Sequence, residues 1–309
     1  MSDSAAGLRR TISSASDLQS VVRTMKALAA SSIGQYEQSV RSLADYARTV
    51  ELGLSVCLRA VDAPPPAAPA STTGTALVHR LVLVFGSDQG LVGQFNETVA
   101  AHVVSRLSDA DFPVTVWAVG ERVHVRLLDA GIAALGPLAV PQSVKGITAL
   151  VGRLLLETVS AQAAVASTEL LVFHNQSAAG AAVETVQQRL LPLDAHWRKT
   201  LLAQAWPTHS LPQVMGGAAE TLRALVGEYL FVSLFRACAE SLASENASRL
   251  AAMERADQNI SELLEELRRR FNQLRQSGID EELFDVISGF EALAPALSAP
   301  VQNRSNGAR

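Results

Sequence analysis

The stretch Ser244-Glu-Asn-Ala-Ser-Arg-Leu-Ala-Ala-Met-Glu-Arg-Ala-Asp-Gln-Asn-Ile260 sits within a run, Gln213 to Leu293, that contains no proline. Through that run apolar residues return at alternating steps of three and four. They are Leu222, Leu225, Tyr229, Val232, Phe235, Ala239, Leu242, Leu250, Met253, Ile260, Leu264, Leu267, Phe271 and Leu274. A spacing near 3.5 draws a single seam along a long helix and requires a partner helix to cover it. At 1.5 Å per residue, about 75 residues make a helix on the order of 110 Å long, more than a compact domain can bury. Asn246 and Asp257 fall on the seam where apolar residues belong. They read either as polar positions that set the register, or as the place where the helix leaves its partner and meets another subunit.

The other end of the chain repeats the pattern. Leu8 to Cys57 also lacks proline and carries a seam of Ile12, Ala15, Leu18, Val22, Met25, Ala29, Ile33, Tyr36, Val40, Leu43, Ala47, Val50, Leu54 and Cys57. This predicts a first helix of about 50 residues, roughly 75 Å long. Two seamed helices flanking a different middle suggest an intramolecular antiparallel coiled coil; a homodimeric coiled coil built from either helix is the alternative. Because the second helix is the longer, about 25 of its residues are expected to overhang at the C-terminal end. There Leu274, Ile279, Leu283, Phe284, Ile287, Phe290 and Leu293 stay apolar, and such a surface asks for a protein around it. Gly278 and Gly289 are poor interior helix residues, and Asp280-Glu281-Glu282 would suit a restarted helix. A bend or break near Gly278 is therefore expected.

Between the helices the periodicity changes. Residues 61–76 are rich in proline and alanine and read as a linker. Residues 77–210 alternate strands (Arg80–Phe85, Val114–Val119, Leu170–Phe173) with helices over 96–107, 121–130 and 143–163. Val183 to Leu190 is an edge strand or a short helix, with the strand preferred. That alternation predicts a small, Rossmann-like parallel α/β domain. The division expected is a coiled-coil helix over 1–60, the linker over 61–76, the α/β domain over 77–210, a second coiled-coil helix over 211–293, and a disordered extension over 294–309. The fold class is thus α/β plus a long antiparallel α-helical coiled coil.

Composition agrees. The 309 residues are 48% apolar but only 5% aromatic, and the net charge of −4 implies no basic face for nucleic acid. Cys57 and Cys238 lie within helical patterns and read as reduced core thiols. No run of eighteen apolar residues suggests a membrane span, and Met1-Ser-Asp-Ser4 lacks the regions of a signal peptide.

Little in the sequence points to catalysis. Gly86-Ser-Asp-Gln-Gly-Leu-Val-Gly-Gln-Phe-Asn96 joins a strand to a helix, as phosphate-binding loops do, yet no Gly-Lys-Ser/Thr follows and the glycine spacing is not a dinucleotide fingerprint. Its glycines are expected to allow tight turning, with Asp88 or Asn96 capping backbone amides. The six histidines show no ligand spacing, and no nucleophile or acid–base pair is recognisable, so neither metal nor cofactor is expected. Two rivals stay open at this stage: a nucleotide-dependent enzyme built on the middle domain, and an unrelated coiled-coil adaptor.

Three stretches together resemble the gamma subunit of F-type ATP synthases. They are Thr24-Met25-Lys26-Ala-Leu-Ala-Ala-Ser-Ser32, the glycine loop Gly86–Asn96, and Ser244–Asn259 continuing through Phe271-Asn272-Gln-Leu-Arg275-Gln276 to Gly289. The resemblance implies a non-catalytic rotor shaft in the central stalk, coupling an ion-driven ring to conformational cycling of catalytic beta subunits. It implies as partners the alpha, beta and epsilon subunits and the membrane c-ring, and a peripheral place on the cytoplasmic face of the bacterial inner membrane. Met25 and Lys26 would face a beta-subunit hinge loop, and Arg249, Arg275 and Gln276 its catch loops. Asp88, Gly90, Gly93, Asn96 and Glu282 would be further partner contacts. Gln89, Val92 and Gln94 stand where the family has arginine, cysteine and glycine. These departures suit a divergent second ATPase, coupled to protons or to another ion such as sodium.

Overall fold

The computed structural model describes residues 4–61, 79–108, 113–164, 168–177, 183–193, 195–210 and 212–293. Most of the residues expected to form the linker, and all of the expected C-terminal extension, lie outside that set. Two compact units are distinguished, one of residues 25–254 and one that combines 1–24 with 255–309.

The larger unit holds a five-stranded sheet in the order β3-β2-β1-β4-β5: β1 His79–Phe85, β2 Val114–Val119, β3 Ala134–Leu138, β4 Thr168–Ser177 and β5 Val183–Leu191. The first four are mutually parallel; β5 runs antiparallel along β4, so the sheet is mixed rather than wholly parallel. The period of two sends alternate side chains of a strand to opposite faces of the sheet. On β1, Leu81, Leu83 and Phe85 pack to one side with Ile147, Val151 and Leu154 of helix α4 (Val144–Ala164) and with Leu234, Cys238 and Leu242. Val82 and Val84 pack to the other with Val99 and Val103 of α2 (Phe95–Leu107) and Val123 and Leu127 of α3 (Glu121–Asp129). Both faces are covered, which is why β1 reads as an unbroken apolar run.

Two elements escaped the sequence pattern. Strand β3, Ala-Leu-Gly-Pro-Leu, has no branched run and carries a proline that a sheet tolerates at its edge. Helix α5, Ala195–Leu202, is short, and its signal is the pair Trp197 and Leu201 at i, i+4, which pack with Val50, Leu54 and Tyr229.

The flanking helices are α1, Ala5–Ala60, and α6, Ala218–Leu293. Along α1 the buried residues Leu8, Ala15, Val22, Ala29, Tyr36, Val50 and Cys57 recur at multiples of seven. That register moves one expected seam position. Leu18 is 54% exposed, and polar Gln19 takes its place on the seam, whereas Met25 and Lys26 are both half-buried. Choosing the apolar neighbour at Leu18 produced the error. In the larger unit the pairing is antiparallel, with Lys26 meeting Glu254, Tyr46 meeting Glu228, and Gly53 so close to Leu225 that an added Cβ would lie 3.1 Å from its Cδ1. In the smaller unit it is antiparallel again, Arg23 meeting Asp257 and Gln19 meeting Ser261. These pairings lie within one chain.

The expected break near Gly278 does not occur. Helix α6 is continuous through Gly278 and Gly289, neither of which takes a positive φ. Each glycine costs about 1 kcal/mol of propensity, too little to stop a helix that strong formers continue on both sides.

Candidate functional site

The glycine loop is shaped by close approach. At Gly86 an added Cβ would sit 2.3 Å from Cβ of Val123, so only glycine lets the end of β1 turn against α3. Further on, Leu91 and Gly93 adopt φ values of 63° and 61°. Ser87 N–H donates to Asn96 Oδ1 (3.0 Å), and Asn96 Nδ2 donates back to Ser87 Oγ (2.8 Å). Asp88 accepts from Glu121 N–H at Oδ1 (3.0 Å) and from Val140 N–H at Oδ2 (2.8 Å).

One carboxylate therefore ties together the segments that follow β1, β2 and β3. Open α/β sheets commonly bind ligands beyond the C-terminal ends of their strands. Here the chain's own polar groups fill that ground with amide-capping bonds, the role expected for Asp88 and Asn96 as caps. Of the two, Asn96 is buried inside the unit, whereas Asp88 keeps part of its surface exposed. Asn96 is 4% exposed, and the hydrogen-bonding groups of both side chains are engaged inside the unit. Gly90 and Gly93 lie nearer the surface of the loop.

Facing this loop, α6 presents Glu245 and Arg249. Arg249 Nη2 donates to Glu245 Oε1 at 2.7 Å, and the two side chains are only 12% and 8% exposed. Arg249, expected to reach outward to a partner, is thus largely folded inward. Burial pushes the Glu245 carboxyl above its ordinary value and the charge of Asp88 adds to this, against the pull of Arg249. Glu245 was not singled out in the sequence, although its place four residues before an arginine on a helix is the signature of such a pair. Met25 and Lys26 are half-buried, and Lys26 Nζ lies 3.4 Å from Glu254 Oε1.

A second cluster absent from the sequence reading joins the sheet to α6. His174 on β4, 2% exposed, donates from Nε2 to Glu240 Oε2 (3.0 Å), whose other oxygen accepts from Arg236 Nε (2.7 Å). Burial works against charge on Glu240, but the bonds from His174 and Arg236 outweigh it and hold the carboxyl below its ordinary value. No spacing links residues 174 and 240, so only the fold could bring them together.

In the smaller unit, Asp257 Oδ1 accepts from both Gln19 Nε2 (3.0 Å) and Arg23 Nε (3.2 Å), and Gln19 also donates to Ser261 Oγ (2.8 Å). Asp257 therefore meets α1, as the register-setting reading expected, rather than leaving its partner there. Beyond Phe271, which lies beside Ala5 and Ala6, the apolar side chains of α6 emerge: Ile279 is 55% exposed, Phe284 68% and Phe290 77%. Arg275, Gln276 and Glu282 are exposed in the same region. No described helix is long and apolar enough to cross a membrane.

Comparison with known proteins matches this architecture. A family model described as ATP synthase matches residues 4–293. The ATP synthase gamma chain of Thermobifida fusca is 29% identical over 309 residues, with 93% of this chain and 96% of the relative covered. That of Granulibacter bethesdensis is 28% identical, with 93% and 98% covered. Among solved structures, a chain of the Euglena gracilis mitochondrial ATP synthase (OSCP/F1/c-ring, rotational state 3) aligns over 98% of this chain and 99% of its own, with a TM-score of 0.57 and 16% identity. At that identity the likeness speaks for the fold.

Proposed function

The chain belongs to the ATP synthase family, among its gamma chains, and from that premise we propose that it is a non-catalytic rotor shaft of the central stalk. In this reading the paired helices turn inside a head of alpha and beta subunits, while the α/β domain meets the epsilon subunit and the c-ring. The assembly stands peripherally on the cytoplasmic face of a bacterial inner membrane and is driven by protons or sodium ions.

The observation that carries the proposal is the state of α6. Its seam is covered by α1 up to Phe271, and beyond that a proline-free helical segment leaves Ile279, Leu283, Phe284, Ile287 and Phe290 exposed. Apolar side chains so grouped mark a surface that works inside another protein. A single shaft in a threefold head touches each catalytic subunit differently and so stabilises a different conformation in each. Rotation then exchanges those conformations, and nucleotide affinity and shaft angle become reciprocally linked. Such a role requires stiffness, asymmetry and weak adhesion at the tip, and no reacting group on the shaft.

Arg275, Gln276 and Glu282, exposed beside the apolar segment, are the polar contacts this reading assigns to the head, with Met25 and Lys26 as contacts lower on α1. Co-expression of the tagged chain with the alpha and beta subunits of its own cell tests the proposal. Co-purification of a nucleotide-hydrolysing complex is expected. A chain that stays apart from them, or that self-associates through its helices, overturns it.

A further inference from the structure

A small polar cavity of about 100 Å3 lies where the long helices meet the glycine loop. Its walls come from four segments: Tyr36 of α1, Asp88 and Gln89 after β1, Gln142 after β3, and Glu245 and Arg249 of α6. Glu245 is 6% exposed, and its two oxygens differ. Oε1 accepts from Arg249, whereas Oε2 is buried with no hydrogen-bond partner among the described residues.

A buried carboxylate oxygen without a donor is costly, and more so when the group is charged. The nearby charged and titratable groups do little to relieve it. Arg249 is already engaged at Oε1; Asp88 carries the same sign as Glu245; Tyr36 from α1 and Cys238 from α6 are neutral groups whose own ionisation burial opposes. Asp88 is committed to two backbone amides, so Glu245 is the carboxyl of the pair with an oxygen to spare.

We propose that this cavity is a proton-binding site, in which Glu245 takes a proton from solvent onto Oε2 and thereby weakens its hold on Arg249. The proton neutralises the carboxylate and turns the ion pair at Oε1 into a hydrogen bond between a cation and a neutral acid, with no other bond made or broken. Arg249 is then freer to swing out of the cavity. The consequence for partners rests on the function proposed above: a guanidinium held inward when Glu245 is charged becomes available to the catalytic head when Glu245 is neutral.

The sign follows from the direction of the shift. A carboxyl raised in the folded chain adds stability that is complete below the unfolded value and is lost as pH rises through the folded value. The gap in Tm between the native chain and Glu245→Gln should therefore move against the native chain as pH rises.

The test is a carboxyl-carbon NMR titration of the full chain, without any partner subunit. Glu245 should titrate with a midpoint displaced upward from the ordinary glutamate value, and the Nε resonance of Arg249 should move with the same midpoint. In Glu245→Gln the Arg249 resonance should become independent of pH. Glu245 titrating at or below the ordinary glutamate value, or Arg249 unmoved while Glu245 titrates, overturns the proposal. The native chain alone suffices for this reading should Glu245→Gln fold poorly. Failure to assemble with a catalytic head would sink the rotor function and leave this titration standing, so the two outcomes are separable.

Discussion

Gln19 Nε2 donates to Asp257 Oδ1 across 3.0 Å, joining residues 238 positions apart in the sequence. Arg23 Nε shares the same oxygen at 3.2 Å. The contact sits on a seam built mostly of apolar residues, which can interlock in more than one register. A polar group at one seam position pairs well in a single alignment and poorly in the others.

Replacing Asp257 by leucine should separate stability from register. With Gln19 still bonded to Ser261 and Arg23 largely exposed, losing the Asp257 contacts should change stability by no more than about 1 kcal/mol. Cysteine pairs placed in register, and one heptad out of register, between the first turns of α1 and the facing part of α6 report the alignment. In the native chain only the in-register pair should cross-link; in Asp257→Leu both should. Identical cross-linking in the two chains would show that the polar contact does not set the alignment.

Asp88→Ala takes the acceptor from the exposed amide of Glu121 and the part-buried amide of Val140, and should cost on the order of 1–3 kcal/mol by denaturant unfolding. Asp88→Asn keeps one acceptor and should recover part of that loss. A loss below about 0.5 kcal/mol in the alanine variant would mean that the three loop segments hold their positions without the carboxylate.

The Glu240 cluster carries a pH signature of the opposite sign to that of Glu245. Its carboxyl lies below the ordinary value in the folded chain, so its stabilising effect is present above the unfolded value and fades as pH falls through the folded one. Relative to Glu240→Gln, the native chain should be the more stable at neutral pH, and the difference in Tm should shrink in acid. A difference that stays constant from neutral to acid pH would mean that the bonds to His174 and Arg236 add nothing to the folded state.

Arg275 and Gln276 are exposed on α6. Changing both to glutamate should alter unfolding stability by no more than about 0.5 kcal/mol. In the assembled complex the same change should impair the coupling of ATP hydrolysis to ion pumping. Unimpaired ATP-driven pumping, with the variant incorporated, would remove these two residues from the contacts assigned to the head.

The long helices were legible because a repeat near 3.5 sustained over many turns has one structural reading, and the absence of proline removes the obstacles to it. The strands β1 and β2 were legible for a related reason: continuous branched apolar runs bounded by turn residues. Strand β3 was not, since an edge strand of five residues with glycine and proline carries no periodic signal. The one-residue error at Leu18 arises because hydrophobicity alone cannot tell a seam residue from an apolar neighbour when the true seam position is Gln19.

What the residues decided by themselves was the kind of element and which ends need partners, because periodicity and propensity act between neighbours a few positions apart. What the tertiary structure alone decided was how polar side chains are employed: Asp88 turned onto two distant amides, Arg249 folded onto Glu245, His174 matched with Glu240. Those pairings depend on burial, which sets the cost of leaving a polar group unsatisfied, and burial is a property of the packed chain that no local pattern contains.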